Sequence, residues 1–285
     1  MKGWRAVVSI LSTLIVFWFL KYYIEMPIVE SETVRVILTI SSILFGFLAG
    51  FFISELWTRY SEIRSLQGTR SAQGINMVKY GEYFFKNKRF KKEFLELTEK
   101  SSIVDEIIEW NEGHLEIPYY QAISRSFVNI KDSDVKTARD SLHYARMLDT
   151  NQSFNETTIK LDMLGKERLF AAEWILMIVL SLIIALSVLF IAVTSFFYQI
   201  VVLVFPAIIA VALIIIHDLD SLSWSKETVS LEPNERIFDA IGVKRFYLKK
   251  KKKYISSKVK DYRTEDDLKG ELKKLYLDIQ KQRKV

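Results

Sequence analysis

Ile43, Phe47 and Phe51 recur at every fourth residue of an apolar stretch, and the same spacing leads on to Glu55 and Arg59. Side chains four apart share one side of a helix. A ring of identical helices turning such bulky apolar side chains toward a common axis forms a hydrophobic neck. A neck of this kind blocks ions by dewetting, and charged residues at its mouth shape the local field. One position earlier, Ser42, Gly46, Gly50 and Ser54 make a parallel row of small residues. Small residues at that spacing let helix backbones approach closely in a bilayer. Both rows also fit a helix packed inside one subunit, with its Phe rings against that subunit's own neighbours.

Two further groups carry possible chemistry. His217-Asp218-Leu219-Asp220 follows an apolar run, so Asp218 and Asp220 offer hard oxygen ligands for a metal cation. They equally suit a helix end, where they cap or pair with nearby bases. Lys244, Arg245, Lys249, Lys250, Lys251, Lys252 and Lys253, with Phe246, Tyr247 and Tyr254 among them, match a site for anionic headgroups of membrane lipids. A solvated anchor on the membrane's inner side is the plainer reading. There is no Walker loop, dinucleotide glycine fingerprint, His-Glu-x-x-His or nucleophile elbow. An enzyme is therefore not expected, nor any cofactor beyond bound inorganic ions.

The elements that must position these residues are membrane helices. The chain has 285 residues, of which 50% are hydrophobic and 13% aromatic, with mean hydropathy +0.13. That composition suits a chain partly in lipid and partly in water. The formal net charge is +6 and the pI about 9.2. Cytoplasmic flanks account for this excess without nucleic acid. With no cysteine, disulfides and thiolate sites are excluded.

Four apolar runs stand out. The first, Ala6–Leu20, follows Lys2 and Arg5, has no small-residue cleavage site after it, and reads as a retained span. The acidic loop 24–33 reads as external. The second run lies within a helix over 34–65 that continues past the membrane. The third covers 169–197, with Glu173 near its start. The fourth covers 200–216 and carries Pro206, a site of kinking. Lys2 and Arg5, the 59–70 segment, Lys166 and Arg168, and the tail then share one side of the membrane. The expected architecture is an all-α, multi-pass protein of the cell membrane with four transmembrane helices, a helical cytoplasmic domain and both termini cytoplasmic. Its parts are 1–57, a helical insert over 58–167, 168–217, and a C-terminal segment over 218–285. Within the insert, helices are expected over 75–90, 91–113, 119–130 and 134–148, with Asp134 as an N-cap. The stretch 151–157 reads as a polar loop. An amphipathic piece is expected over 235–241, and a capping-box start at Thr264 and Asp267.

The arrangement of two spans, a helical insert, two more spans and an acidic segment resembles the bestrophins, and more closely the bestrophin-like integral membrane proteins. The resemblance is carried by Arg59-Tyr60-Ser61-Glu62-Ile63-Arg64-Ser65-Leu66, by Ile107-Ile108-Glu109-Trp110, and by Leu219-Asp220 with Val229-Ser230-Leu231-Glu232-Pro233. Relatives usually carry Pro-Phe after the Leu-Asp pair, where this chain has Ser221-Leu222. The acidic calcium clasp of animal bestrophins is absent from the sequence. The resemblance implies a pentameric homo-oligomer that passes inorganic ions, with the second span lining the pore and Ile43, Phe47 and Phe51 as its neck. The sign of the permeant ion stays open, since Glu55 and Arg59 oppose each other. The alternative is a membrane-anchored scaffold or sensor whose cytoplasmic helices bind a partner.

Overall fold

A computed structural model describes residues 32–107, 123–190, 196–222, 232–247, 261–264, 266–268 and 270, together with Ile15 and Phe19. The expected first span, Lys249 to Lys253, most of the Ile107–Trp110 motif and the tail helix beyond residue 270 lie outside the described residues. The described chain is mostly helical, as expected of the all-α class. Two of its helical stretches are long and apolar enough to cross a membrane, one within Glu32–Phe84 and one within Ala138–Phe190. Only 22% and 17% of their apolar windows is buried within the chain. A core helix of a soluble protein would be mostly covered by its own chain, and these two are not.

The elements are α1 (Glu32–Gly81), a 3-10 turn at Glu82–Phe84, α2 (Lys88–Ile107), 3-10 turns at Phe127–Asn129 and Asp132–Asp134, α3 (Ala138–Lys166), α4 (Ala171–Phe190), α5 (Phe196–Asp220), α6 (Glu232–Ala240), β1 (Arg245–Tyr247) and β2 (Tyr262–Thr264). They form two compact units, one of Met1–Tyr60 with Arg168–Trp224, the other of Ser61–Glu167 with Ser225–Val285.

The first unit packs α1 against α4 and α5. Phe45, Ala49, Phe52 and Leu56 are spaced to share one face of α1, and they meet Met177, Leu180, Ile184, Ile209, Ile216 and Leu219. The opening turn of α4 is closed by Glu173, whose Oε2 accepts the Phe170 N–H at 2.7 Å. The carboxylate at the start of the third apolar run thus supplies a local cap.

The second unit has an aromatic core. Phe84, Phe90, Phe94 and Phe127 are buried together with Met77, Ile103, Met147, Phe238 and Phe246. Asn87 starts α2 by accepting the N–H groups of Arg89 and Phe90 at 3.2 and 3.1 Å, which satisfies donors the helix cannot. Asp134 is not the cap of the next helix. Its Oδ2 accepts the Lys131 N–H at 3.0 Å and the Asn87 side-chain amide at 2.9 Å, closing a 3-10 turn. These bonds hold its carboxyl below the usual range. The capping box belongs to Thr137 and Asp140, so α3 begins four residues later than expected. It also runs straight through 151–157, where the sequence suggested a loop. Met147, Asn151, Phe154, Thr158 and Leu161 are all buried on α3, and burial of that face outweighs the modest helix propensity of Asn and Thr. Asn151 exchanges hydrogen bonds with Ser124 at 2.9 and 3.1 Å.

The strands were not expected. β1 and β2 pair in parallel, with Arg245 opposite Tyr262 and Tyr247 opposite Thr264. Phe246 and Tyr247, which the sequence placed among membrane-facing bases, are buried in this unit. α6 packs beside α1 at Gly74, where a Cβ would lie 3.3 Å from Ile237 Cδ1. Half of the expected box at Thr264 is present: the Asp267 carboxylate accepts the Thr264 N–H at 2.7 Å, but the Thr264 hydroxyl donates to the same carboxylate, and residues 266–268 form a turn.

Arg245 ties β1 to α6. Its guanidinium donates to Asp239 at 2.6 and 2.9 Å and to Glu235 at 2.7 Å. The Arg245 hydrogen bond holds the Asp239 carboxyl below the ordinary range. A carboxyl depressed in the folded state stabilises the fold above its unfolded value of about 4, and that contribution fades as pH falls through the folded value. Arg245→Gln is expected to lower the melting temperature at pH 7, by the equivalent of about 1 kcal/mol or less for a part-exposed pair. The gap to wild type should narrow as pH drops below about 4. Melting curves at pH 7 and pH 3 check this, and an unchanged gap would show that the pair does not couple to folding.

Candidate functional site

α1 is a helix with one covered and one uncovered side. Ile43 is 53% exposed, Phe47 76% and Phe51 62%, while the interleaved Phe45 and Ala49 and the following Phe52 are buried. The bulky row therefore does not pack against the other described helices of its unit. The Phe51 ring meets the Phe52 ring edge-on, at 5.7 Å between centroids. Glu55 is exposed on the same side, below Phe51.

Arg59 departs from this row. It is 7% exposed, and its Nη1 lies 3.8 Å from Asp220 Oδ1. Its Nη2 donates to the Asp220 backbone carbonyl at 3.5 Å. Helix geometry explains why. Each four-residue step turns about 400°, or about 40° beyond a full turn, so a row of every fourth residue winds around the helix. From Ile43 to Arg59 it has wound by about 160°, which carries it onto the buried face. The expected mouth of Glu55 and Arg59 is thus split, with Glu55 outward and Arg59 inward.

Asp220 faces Arg59 and also accepts the Leu169 N–H at 2.9 Å. One carboxylate joins the end of α5, the approach to α4 and the middle of α1. This use explains Asp220 as a structural clamp, with its Oδ1 facing both the Arg59 guanidinium and the Leu169 N–H. Asp218 is half-buried next to His217, whose ring lies 6.0 Å from that of Trp174. Among the described residues no group of three His, Asp or Glu side chains converges as a metal site would require. The residues that sequence reasoning missed are the pairing partners themselves. Their signal was present, because an Arg and an Asp at the ends of separate apolar helices need a partner when buried.

The small-residue row is also uncovered. A Cβ at Gly46 or Gly50 would meet no atom within 4 Å. Ser54 is exposed and Ser42 half-buried. Whatever covers this row is not the described part of the chain. Of the basic cluster, Arg245 is held by Asp239 and Glu235, and Lys244 pairs with Asp261 at 2.9 Å at the surface. His143 stacks on Tyr83 at 3.5 Å as a packing residue. Compared with known proteins, the chain matches no family model, no curated protein and no solved structure.

Removing one member of a buried ion pair strands the other charge, at a cost of about 3–5 kcal/mol. Arg59→Met and Asp220→Asn are each expected to be clearly destabilising. The double variant should recover part of the loss, with a coupling of about 1–3 kcal/mol. Unfolding in detergent measures all three, and strictly additive losses would show that the two residues do not act as a pair.

Proposed function

We propose that the chain is one subunit of an oligomeric, bestrophin-like ion channel in the cell membrane, with α1 lining the pore and Ile43, Phe47 and Phe51 as its hydrophobic neck. The observation that carries this reading is the outward position of the neck residues on the one helix that also leaves Gly46 and Gly50 open. A large apolar side chain left in water forfeits about 1.5–3 kcal/mol of burial, so this face is covered by lipid or by other copies of α1. A face that was only lipid-covered would not need small residues in a row beside large ones. Copies of α1 approaching along Ser42, Gly46, Gly50 and Ser54 would turn the neighbouring Phe row toward a shared axis. The four spans, the cytoplasmic placement of both termini and the five-fold ring are part of the same proposal, the last taken from the resemblance. In the scaffold alternative, α1 and α4 are anchors and the Phe row faces acyl chains.

Shrinking the neck separates the two. In reconstituted bilayers, Phe47→Ala with Phe51→Ala should raise single-channel current or open probability several-fold, because a wider, less apolar path stays wet. The scaffold reading is favoured instead if wild type and variant both carry no current and the purified protein is a monomer or dimer.

A further inference from the structure

We propose that the path past the neck selects cations, with Glu55 as the selecting group. This rests on the channel reading above and adds the class of ion it passes.

The inference comes from how α1 distributes charge. Between Arg35 and Arg59 the sequence VILTISSILFGFLAGFFISELWT has one ionisable side chain, Glu55. It lies on the exposed side of the helix with no ion pair among the described residues. The two arginines that bracket it do not share its position. Arg59 is turned into the unit and opposed there by Asp220, so its charge is withdrawn from the outward face and largely balanced. Arg35 lies twenty residues before Glu55, about 30 Å away along the helix at the far end of the apolar stretch. The sequence alone left two opposing charges at the mouth, and the structure leaves one.

The neighbours of Glu55 support the same sign. Ser54 and Thr58 are exposed beside it. The Thr58 hydroxyl spends its proton on the Ser54 carbonyl at 2.9 Å, which leaves oxygen lone pairs outward. Repeated around a ring, this level presents carboxylate and hydroxyl oxygens immediately after a low-dielectric constriction. A constriction with one sign of charge focuses the field and enriches the counter-ion. Carboxylate rings favour cation passage in this way, while an anion leaving its hydration shell at the same level meets like charge. Hard oxygen donors also replace part of a cation's hydration shell.

The test is bilayer recording of the full chain under a potassium chloride gradient. Wild type should reverse close to the potassium equilibrium potential, with potassium favoured over chloride by about tenfold or more, as expected for a carboxylate ring. Glu55→Gln should cut that ratio by at least about threefold and Glu55→Asp should keep it, since the effect belongs to the charge. Thr58→Lys, an exposed change on the same face, should lower the ratio as well and serves if Glu55→Gln fails to assemble. A wild type that reverses near the chloride potential overturns the inference and leaves the channel reading standing. So does a conducting Glu55→Gln with unchanged selectivity. Absence of current for both ions in wild type overturns the channel reading, and the selectivity with it.

Discussion

An arginine buried in an apolar unit must be given an anion, and the pairing of Arg59 with Asp220 sets the rotation of α1. With Arg59 held inward, every residue above it on the same rigid helix has its direction fixed. Phe45, Ala49, Phe52 and Leu56 then fall against α4 and α5. Ile43, Phe47 and Phe51 fall outside. A rotation of α1 by half a turn would bury the Phe row and expose a charge pair's worth of unsatisfied donors, which the apolar surroundings penalise heavily. The clamp also reaches α4, because Asp220 accepts the Leu169 N–H. A single carboxylate therefore fixes three helices relative to one another within this unit.

The second unit is held in a different way. Its core is aromatic, with Phe90 and Phe94 stacked at 5.2 Å and Phe127 against both. Its polar side chains are spent on starting and stopping short elements: Asn87, Asp134, Thr137 and Asp140 each satisfy backbone donors at a helix or turn. Short helices gain little from intrinsic propensity and depend on such caps and on tertiary burial. Ion pairs at its surface, Arg245 to Asp239 and Arg263 to Glu99, join strands to neighbouring helices.

The helical class and the apolar stretches were legible because apolar run length and helical spacing are local signals. What escaped the sequence was non-local or depended on accumulated rotation. Arg59 was read as part of a straight row, yet the row winds. The stretch around Asn151 has poor local helix signals, and only its partners, Ser124 and the buried aromatic face, make it helical. The two three-residue strands were invisible because Phe246 and Tyr247 sit among bases, and a parallel pair joins residues that are distant in sequence. Asp134 was expected to cap α3, but it closes a 3-10 turn and Thr137 caps the helix instead.

The second unit is assembled from two stretches of chain, 61–167 and 225–285, with the apolar helices α4 and α5 encoded between them. During synthesis, Met77, Phe90, Phe94 and Met147 leave the ribosome well before Phe238 and Phe246, the residues that complete their core. Contacts that distant in sequence close late, since loop closure must precede any gain from burial. The half-built unit therefore waits, with aromatic surface uncovered, until α4 and α5 have been delivered to their own environment. Its final closure reports that the segment carrying α4 and α5 has been made. Over that interval the nascent chain is most open to holding by chaperones or to aggregation. The order of the gene, more than the strength of any one contact, decides how long that interval lasts.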